Sequence, residues 1–374
     1  MSARRILCVF GTRPEAIKMA PVVRALAATN DLEPVVCLSN QHREMLEQVL
    51  DIFGLDAHER LNVMTEGQAP GDVVIRVLER LPPVLAAVRP AAVLVQGDTM
   101  TTFAAALASF YAGIPVGHVE AGLRTYRKDA PFPEELNRQM TTALAEWHFA
   151  PTAAARENLL AAGVADANVS VTGNTVIDAL HWIADRLPPD AGAPYGADGR
   201  RLILVTAHRR ESFGEPLAEL CGALRDVVER HADVEVVYPV HLNPNVREPA
   251  HRILGDVARV HLLPPVDYVT LVGLLRRAYL VITDSGGIQE EAPAFGKPVL
   301  VTRETTERAE GVRAGTARLV GTSRARVVAE TERLLGDPLA YARMAEAHNP
   351  YGDGRAAGRI AARLQAALAS GAAR

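Results

Sequence analysis

The sequence predicts an α/β protein of two halves, each a parallel sheet with helices on both faces. Short apolar runs rich in β-branched residues alternate with longer segments of helical periodicity, which is typical of βαβ units. The short runs are apolar at consecutive positions, as expected of strands that helices cover on both faces. The series stops at a segment rich in Pro and Gly and then begins again, and 374 residues are too many for one ordinary core.

The apolar runs mark the predicted strands. In the first half they lie at residues 6–10, 34–38, 92–96, 116–120 and 169–172. In the second half they lie at residues 202–206, 234–240, 260–263, 280–283, 299–302 and 317–320. The intervening segment 187–200 has the composition of a loop. We expect a first domain over residues 1–175, a second over 176–355, and a terminal helix, 356–374, that packs back on the first domain.

Composition and charge exclude several function classes. The apolar fraction of 48% is normal for a globular protein and excludes a disordered chain. A net charge of −4 without any run of Lys or Arg argues against nucleic-acid or membrane-surface binding. Three cysteines, Cys8, Cys37 and Cys221, are an odd number and read as buried thiols of a reducing compartment. The apolar run near the N-terminus is too short for a signal peptide, so we expect a soluble cytoplasmic protein.

The absence of two kinds of motif argues against a cofactor. The dinucleotide pattern G-x-G-x-x-G does not occur, which removes the main support for nicotinamide binding. No H-E-x-x-H or C-x-x-C spacing occurs, so we expect no catalytic metal. Any anionic ligand must therefore be met by protein groups alone.

Two loops at the ends of predicted strands are candidates for an anion site, because ligands of open α/β sheets bind beyond the carboxyl ends of the strands. After residues 6–10, Arg13 and Lys18 flank a helix N-terminus; the alternative is an ordinary turn with two solvated cations. After residues 280–283, Asp284-Ser285-Gly286-Gly287 opens a helix whose backbone amides could cradle a phosphate, and Glu291 could bind a ribose diol. An ordinary helix cap is the alternative there.

Three carboxylates and two histidines could supply acid–base chemistry. Asp98 and Glu120 each follow a predicted strand, and Glu134 stands where a helix is predicted to start. Carboxylates gathered in a partly dry site acquire different pKa values, so that an acid and a base can coexist near neutral pH. His208 and His241 end two strands of the second half, where each could donate a proton or contact a phosphate. Taken singly, each carboxylate is more often a cap or a surface ion pair.

The chain resembles the bacterial non-hydrolysing UDP-N-acetylglucosamine 2-epimerases. The resemblance runs in order from about residue 5 to residue 357. It rests on the motifs Gly11-Thr12-Arg13-Pro14-Glu15, Gln41-His42-Arg43-Glu44-Met45-Leu46, Gln96-Gly97-Asp98-Thr99, His118-Val119-Glu120-Ala121-Gly122-Leu123-Arg124-Thr125, Pro133-Glu134-Glu135-Leu136-Asn137-Arg138, His208-Arg209-Arg210-Glu211 and Asp284-Ser285-Gly286-Gly287-Ile288-Gln289-Glu290-Glu291.

The resemblance implies the GT-B fold, in which two Rossmann-like domains with parallel sheets face a central cleft. It implies a homodimer that interconverts UDP-GlcNAc and UDP-ManNAc with no cofactor. UDP would leave by elimination, which forms a bound 2-acetamidoglucal, and would then add back. Groups near both faces of C2 and cations on the departing diphosphate would be needed, because no carbonyl acidifies the C2 proton.

The resemblance also assigns roles to individual residues. It places Asp98, Glu120 and Glu134 in the acid–base cluster and His208 on the leaving diphosphate. Further substrate contacts would come from Arg13, Lys18, His241, Val266, Leu271, Ser285, Gly286, Gly287, Glu291 and Arg308. Some relatives bind a second UDP-GlcNAc as activator beside Gln41 and His42. Around the nucleobase, Val266 and Leu271 stand where bacterial relatives commonly carry Gln and Phe.

Three alternative functions share parts of this pattern. A hydrolysing 2-epimerase would use the same elimination and release UDP and free ManNAc. A GT-B glycosyltransferase would share the fold and the phosphate cradle, but the carboxylate cluster suits proton transfer at C2 better than activation of an acceptor. A non-catalytic UDP-sugar-binding protein would not need the carboxylates.

Overall fold

The computed structural model describes residues 3–40, 43–65, 67–129, 131–196 and 198–370. It divides into two units, the first formed by Met1–Ala179 together with Tyr351–Arg374 and the second by Leu180–Pro350. Each unit contains one sheet of parallel strands with helices between them, which confirms the predicted α/β class.

Strands and helices alternate along the first unit. They are β1 (Arg4–Phe10), α1 (Arg13–Ala27), β2 (Leu32–Leu38), α2 (Arg43–Phe53), β3 (Glu59–Arg60), α3 (Pro70–Val88), β4 (Ala92–Gln96), α4 (Met100–Tyr111), β5 (Val116–Val119), α5 (Glu134–Leu144), β6 (Trp147–Ala150), α6 (Ala153–Ala161), β7 (Val169–Val171) and α7 (Thr175–Ala184). The boundary between the two units falls within α7. Among the described residues the strand order is β3-β2-β1-β4-β5-β6-β7. The order reverses between β1 and β4, so the loops after these two strands flank the topological switch point.

The core of the first unit explains most of its strands. Leu7, Val9, Val93 and Val95 are fully buried, as consecutive apolar residues in central strands should be. Two strands were not predicted from the sequence. β3 has only two residues, and the four residues of β6 include His148, a polar side chain that is nevertheless buried.

The second unit repeats the pattern. Its elements are β8 (Arg201–Thr206), α8 (Glu215–Arg230), β9 (Val234–Pro239), α9 (Pro244–Leu254), β10 (Val260–Leu263), α10 (Tyr268–Arg277), β11 (Leu280–Thr283), α11 (Gly286–Glu291), β12 (Val299–Val301), α12 (Ala309–Ala314), β13 (Ala317–Leu319), α13 (Arg324–Gly336) and α14 (Pro338–Ala345). Within the described residues the sheet order is β10-β9-β8-β11-β12-β13, so the switch point lies between β8 and β11. Short 3₁₀ helices lie at Arg210–Ser212 and Ala292–Phe295 in this unit and at Asp166–Asn168 in the first unit.

The last helix, α15 (Ala356–Ala369), belongs to the first unit. Its first two amides, those of Ala356 and Ala357, donate to the buried carboxylate of Asp178 at 3.1 and 2.8 Å. The side-chain amide of Gln365 donates to the backbone carbonyl of Asn30, in the loop that follows α1. Asp178 therefore caps α15 and fixes the path of the returning chain.

The cysteines are buried and free, as predicted, and burial raises the pKa of each thiol to about 12. Across the described ranges no helix is both long and apolar enough to cross a membrane. The same residues contain no group of three or more His, Cys, Asp or Glu side chains arranged to hold a metal ion.

Candidate active site

Glu120 occupies a strained position directly after β5. Its φ of 62° lies in the left-handed region, which residues other than Gly rarely adopt. Glu120 is the last residue of the apolar run 116–120, and β5 ends one residue earlier, at Val119. Its side chain is 6% exposed, so a carboxylate is held almost out of water. Strain and burial at one ionisable residue are characteristic of functional sites.

Two cations contact the Glu120 carboxylate. Lys18, from α1, forms an ion pair with its Oε2, and Arg138, from α5, lies 3.4 Å from its Oε1. Arg138 also donates to the backbone carbonyl of Glu120. A buried carboxylate can stay ionised when charges of opposite sign and hydrogen bonds replace the lost water.

Arg138 joins Glu120 to Asp98. One guanidinium nitrogen forms an ion pair with Oδ2 of Asp98, and Asn137 donates to the Asp98 carbonyl at 3.0 Å. The side chain of Asp98 is 31% exposed, far more than that of Glu120. The two predicted carboxylates therefore share one cation but differ in their contact with water.

His118 fixes the turn that carries Asp98. Its Nε2 donates to the carbonyl of Gly97 at 2.7 Å, and Gly97 has a φ of 75°. Burial, followed by the charge of Arg138, holds the pKa of His118 well below its usual range. The ring is thus neutral with its proton on Nε2, a structural role that the sequence analysis did not assign.

Glu134 is the first residue of α5, as predicted, and is half-buried. Its Oε2 is buried and has no hydrogen-bond partner among the described residues. The neighbouring Glu135, in contrast, accepts from the backbone amides of Thr125 and Tyr126 at 2.8 and 3.2 Å. The structure thus separates a structural carboxylate from one that is available for chemistry.

The loop after β1 is built around Glu15. Its carboxylate accepts from the amides of Gly11 and Thr12 at 3.0 and 2.7 Å and from the hydroxyl of Thr99 at 2.8 Å. Burial raises the pKa of Glu15, and these hydrogen bonds oppose the shift. Gly11 is required because a Cβ there would lie 1.8 Å from Oγ of Ser39. The two loops at the switch point are therefore locked together.

The two predicted anion-binding cations of this loop differ. Arg13 is half-buried at the first position of α1. The contact that Lys18 is predicted to make with a substrate stays a prediction, and in the structure its ammonium is paired with Glu120. Lys18 therefore belongs to the carboxylate cluster. Gln41 and His42, which the resemblance associates with activation, lie outside the described residues.

In the second unit, Asp284 organises the loop that carries His208. Asp284 is fully buried and accepts from the amides of His208 and Arg209, each at 2.8 Å. Nδ1 of His208 lies 3.6 Å from Oδ1 of Asp284, and the His208 ring stacks on that of His241 at 5.7 Å. Burial lowers the pKa of His208, opposed by Asp284 and assisted by His241. The predicted histidines are brought together, with His208 neutral near pH 7.

The segment Ser285–Glu291 forms the predicted helix start after β11. Ser285 is the N-cap of α11, but its side chain makes no capping hydrogen bond. The amides of Gly286 and Gly287 therefore begin the helix without intrahelical partners. A Cβ on Gly287 would lie 3.6 Å from Oε1 of Glu291 and 4.0 Å from Oγ of Ser285. The Glu291 carboxylate therefore reaches back over the exposed Gly287 toward Ser285.

Arg308 belongs to an ion-pair cluster beside Gly286. It contacts Glu290 at 2.7 Å and Glu307 at 3.6 Å. Glu307 also meets Arg303 at 2.7 Å and Arg209 at 3.2 Å. The arginines, Arg308 first, hold the pKa of Glu307 at about 2 against the effect of burial. Glu290 was not predicted as a partner of Arg308, because the two lie 18 residues apart in sequence.

Val266 and Leu271 lie at the start of α10 and are both half-buried. Asp267, between them, caps the helix by accepting from the amide of Thr270 at 2.7 Å. The two apolar side chains therefore mark a surface beyond β10, at the carboxyl edge of the sheet. Their predicted role at a nucleobase stays a prediction.

Three site residues were not predicted: Arg138, Asn137 and Asn174. For Arg138 the sequence did contain a signal, its spacing from Glu134. Glu134 and Arg138 are four residues apart on a predicted helix and so share a face. The motif that carries the resemblance includes both Asn137 and Arg138. Asn174 follows β7 and had no motif to mark it.

Comparisons with known proteins cover almost the whole chain. A family model described as UDP-N-acetylglucosamine 2-epimerase matches residues 24–365. The UDP-N-acetylglucosamine 2-epimerase of Escherichia coli (strain K12) is 54% identical over 364 residues, which cover 95% of this chain and 97% of that protein.

Two solved structures are also similar. The UDP-GlcNAc 2-epimerase of Neisseria meningitidis, bound to UDP-GlcNAc, has a TM-score of 0.89 at 45% identity and covers 97% of this chain and 100% of its own. The S. aureus MnaA–UDP co-structure has a TM-score of 0.87 at 46% identity, with coverage of 98% and 97%. Such structures have the GT-B fold, and this likeness confirms the predicted fold.

Proposed function

Since this chain belongs to the UDP-N-acetylglucosamine 2-epimerase family and has that activity, we propose that it works without hydrolysis and interconverts UDP-GlcNAc and UDP-ManNAc. The observation that carries the proposal is the pair of carboxylates, Glu120 and Asp98, joined by Arg138. One is buried and the other reaches water. Proton removal on one face of a carbon and return on the other require two such groups.

The proposed reaction has two halves. A carboxylate takes the C2 proton while the bond from C1 to the diphosphate oxygen breaks, so that the C2–H electron pair forms the C1–C2 double bond. UDP departs with the electrons of the C1–O bond, leaving 2-acetamidoglucal. A carboxylic acid then protonates C2 on the opposite face, and the same diphosphate oxygen bonds to C1. The base then releases to solvent the proton that it took, and the acid regains a proton from solvent. The enzyme thereby returns to its starting charge state.

The first unit supports the acid–base part of this proposal. Lys18 and Arg138 stabilise Glu120 as an anion, the form that can accept a proton. Asp98, with 31% of its side chain exposed, can exchange protons with water. Glu134, whose Oε2 has no hydrogen-bond partner in the described part of the chain, is the third candidate. We assign the proton transfers to this set of three.

The second unit supports the binding of UDP. The amides that begin α11 and the dipole of that helix favour an anion at Ser285–Gly287. His208 follows β8, the strand that pairs with β11. We propose that these groups hold the diphosphate, that Glu291 accepts from the ribose hydroxyls, and that Val266 and Leu271 pack on the base.

The test is incubation of the pure protein with UDP-GlcNAc in D2O, followed by NMR. We expect UDP-ManNAc to form and both UDP-sugars to gain deuterium at C2. Free ManNAc with stoichiometric UDP would replace the proposal by a hydrolysing epimerase. Neither product after prolonged incubation would contradict the elimination chemistry altogether.

A further inference from the structure

The Glu120 carboxylate has a third partner, which is neutral. Nδ2 of Asn174 donates to Oε2 of Glu120 at 3.1 Å, on the oxygen that also pairs with Lys18. Asn174 is 2% exposed and lies between β7 and α7. We propose that Asn174 is a positioning residue that fixes the direction and the charge state of the Glu120 carboxylate.

Hydrogen bonds at both ends of the side-chain amide of Asn174 determine its orientation. Its Oδ1 accepts from the amide of Val176 at 3.1 Å, which satisfies one of the unpaired amides at the start of α7. The NH2 group must therefore face Glu120. A carboxamide locked in this way always offers a donor and never an acceptor to the carboxylate.

The backbone holds Asn174 in place from the opposite side. Its amide donates to the carbonyl of Tyr351 at 2.6 Å. Gly173 packs closely on Gly352, since a Cβ on Gly173 would lie 3.2 Å from its Cα. Tyr351 is the first residue of the segment that returns to the first unit. The returning chain thus buttresses the residue that orients Glu120.

Position matters because Glu120 sits on a strained backbone. Glu120 has a φ of 62° and lies just beyond the end of β5, so regular strand geometry does not fix the direction of its side chain. Among the described residues, the groups that face its carboxylate include Lys18 from α1, Arg138 from α5 with its partner Asp98, and Asn174. Misplacing a reacting group by about 1 Å can cost a hundredfold in rate.

The inference rests on the proposed function, and Asn174→Asp is its sharpest test. Asp keeps the shape and the acceptor for Val176, but it replaces the donor by a negative oxygen beside Glu120. Asn174→Ala loses both the donor and the helix cap without adding charge. A positioning role predicts that kcat falls in the order wild type, Asn174→Ala, Asn174→Asp. A merely structural role predicts the reverse order for the two variants.

We expect Asn174→Asp to lower kcat by about tenfold to a hundredfold, the value of a hydrogen bond to a charged group, while KM changes much less. The limb of the pH–rate profile that reports Glu120 should move to higher pH by about one unit. Asn158→Asp is the matched control, since within the described part of the chain Asn158 donates to the backbone carbonyl of Gly122 and to no carboxylate. It should leave both kcat and the profile unchanged.

A second measurement is independent of turnover. Glutamate labelled with 13C at the carboxyl carbon reports the titration of Glu120 by NMR, with Glu120→Gln identifying the signal. A higher midpoint in Asn174→Asp than in wild type supports the inference even if the protein does not epimerise UDP-GlcNAc. An unchanged midpoint, or wild-type kcat in Asn174→Asp, overturns it and leaves the proposed function standing.

Discussion

Asp284 accepts hydrogen bonds from the backbone amide of His208 and lies 3.6 Å from its imidazole Nδ1. One buried carboxylate thus sets both the place of the ring and the nitrogen that faces inward. Its charge opposes the lowering of the His208 pKa that burial causes. The result is an imidazole that is neutral near pH 7 but can gain a proton when an anion arrives.

This arrangement predicts how binding of a UDP-sugar depends on pH. A diphosphate diester favours the imidazolium, so binding should raise the pKa of His208 and strengthen as the pH falls from 7.5 to 5.5. Calorimetry with UDP-glucose should show an affinity gain of up to about tenfold for each unit by which binding raises the pKa of His208. His208→Gln should abolish the gain. A surface control, His251→Gln, should keep it, and a wild-type affinity without pH dependence would contradict the role of His208.

Glu307 predicts a separate dependence of stability on pH. Its folded-state pKa of about 2 lies below the ordinary value of 4.5, so its contribution is complete above about pH 4.5 and is lost as the pH falls toward 2. The difference in urea midpoint between wild type and Glu307→Gln should therefore shrink between pH 5 and pH 2.

The control for Glu307 is Asp353→Asn. The pKa of Asp353 is also about 2, but its ion pair with Arg359 is nearly half exposed. Salt should erase the effect of Asp353→Asn and leave most of that of Glu307→Gln, because water and ions screen an exposed pair. Equal salt sensitivity of the two variants would show that the arginine cluster around Glu307 adds nothing.

Two glycines provide a matched test of packing behind Glu120. Gly122 and Gly163 have φ values of 89° and 86°, so an Ala at either position is equally strained. A Cβ on Gly122 would also lie 2.2 Å from the carbonyl oxygen of Ala155, whereas Gly163 has open space. We expect a loss of about 2–4 kcal/mol for Gly122→Ala and about 1 kcal/mol for Gly163→Ala. Urea unfolding followed by Trp147 fluorescence measures both, and similar losses would refute the clash.

The sequence was sufficient for what depends on local pattern. Consecutive apolar residues predicted the central strands, and strand ends predicted the positions of Asp98, His208 and Ser285. β6 was not predicted, because His148 is a polar residue of the kind usually found at the surface. Burial of a polar side chain depends on tertiary packing, and burial lowers the pKa of His148 to about 4. The periodicity of apolar residues in the sequence therefore does not reveal that His148 is buried.

The partners of Glu120 show the same limit. Lys18 and Asn174 lie 102 and 54 residues away from Glu120 in sequence. Lys18 was predicted to contact an anion because it lies near the start of a helix that follows a strand, in the second turn of α1. The carboxylate that it pairs with is specified only by the sheet order. Pairings between distant loops require the assembled sheet, since the crossover at β1 and β4 brings them together.

The carboxylate cluster itself predicts two null enzymes. Glu120→Gln and Asp98→Asn should each abolish deuterium exchange at C2 of UDP-GlcNAc, because an amide cannot accept the proton. Removing negative charge beside Arg138 leaves a cation less compensated, so the melting temperature should fall slightly while the fold persists. Circular dichroism and D2O exchange check both points. Near-normal exchange in either variant removes that residue from the proton-transfer set.

Glu134 and Glu135 allow the sharpest comparison, since they are adjacent in sequence and carry the same side chain. Glu134→Gln should reduce turnover by roughly a hundredfold or more, the scale of a lost acid–base group, and leave the melting temperature near that of wild type. Glu135→Gln should retain turnover per folded molecule but lose stability, because Glu135 anchors the amides of Thr125 and Tyr126. The opposite outcome would mean that the chemistry belongs to Glu135, and an unaffected Glu134→Gln would restrict the proton transfers to Asp98 and Glu120.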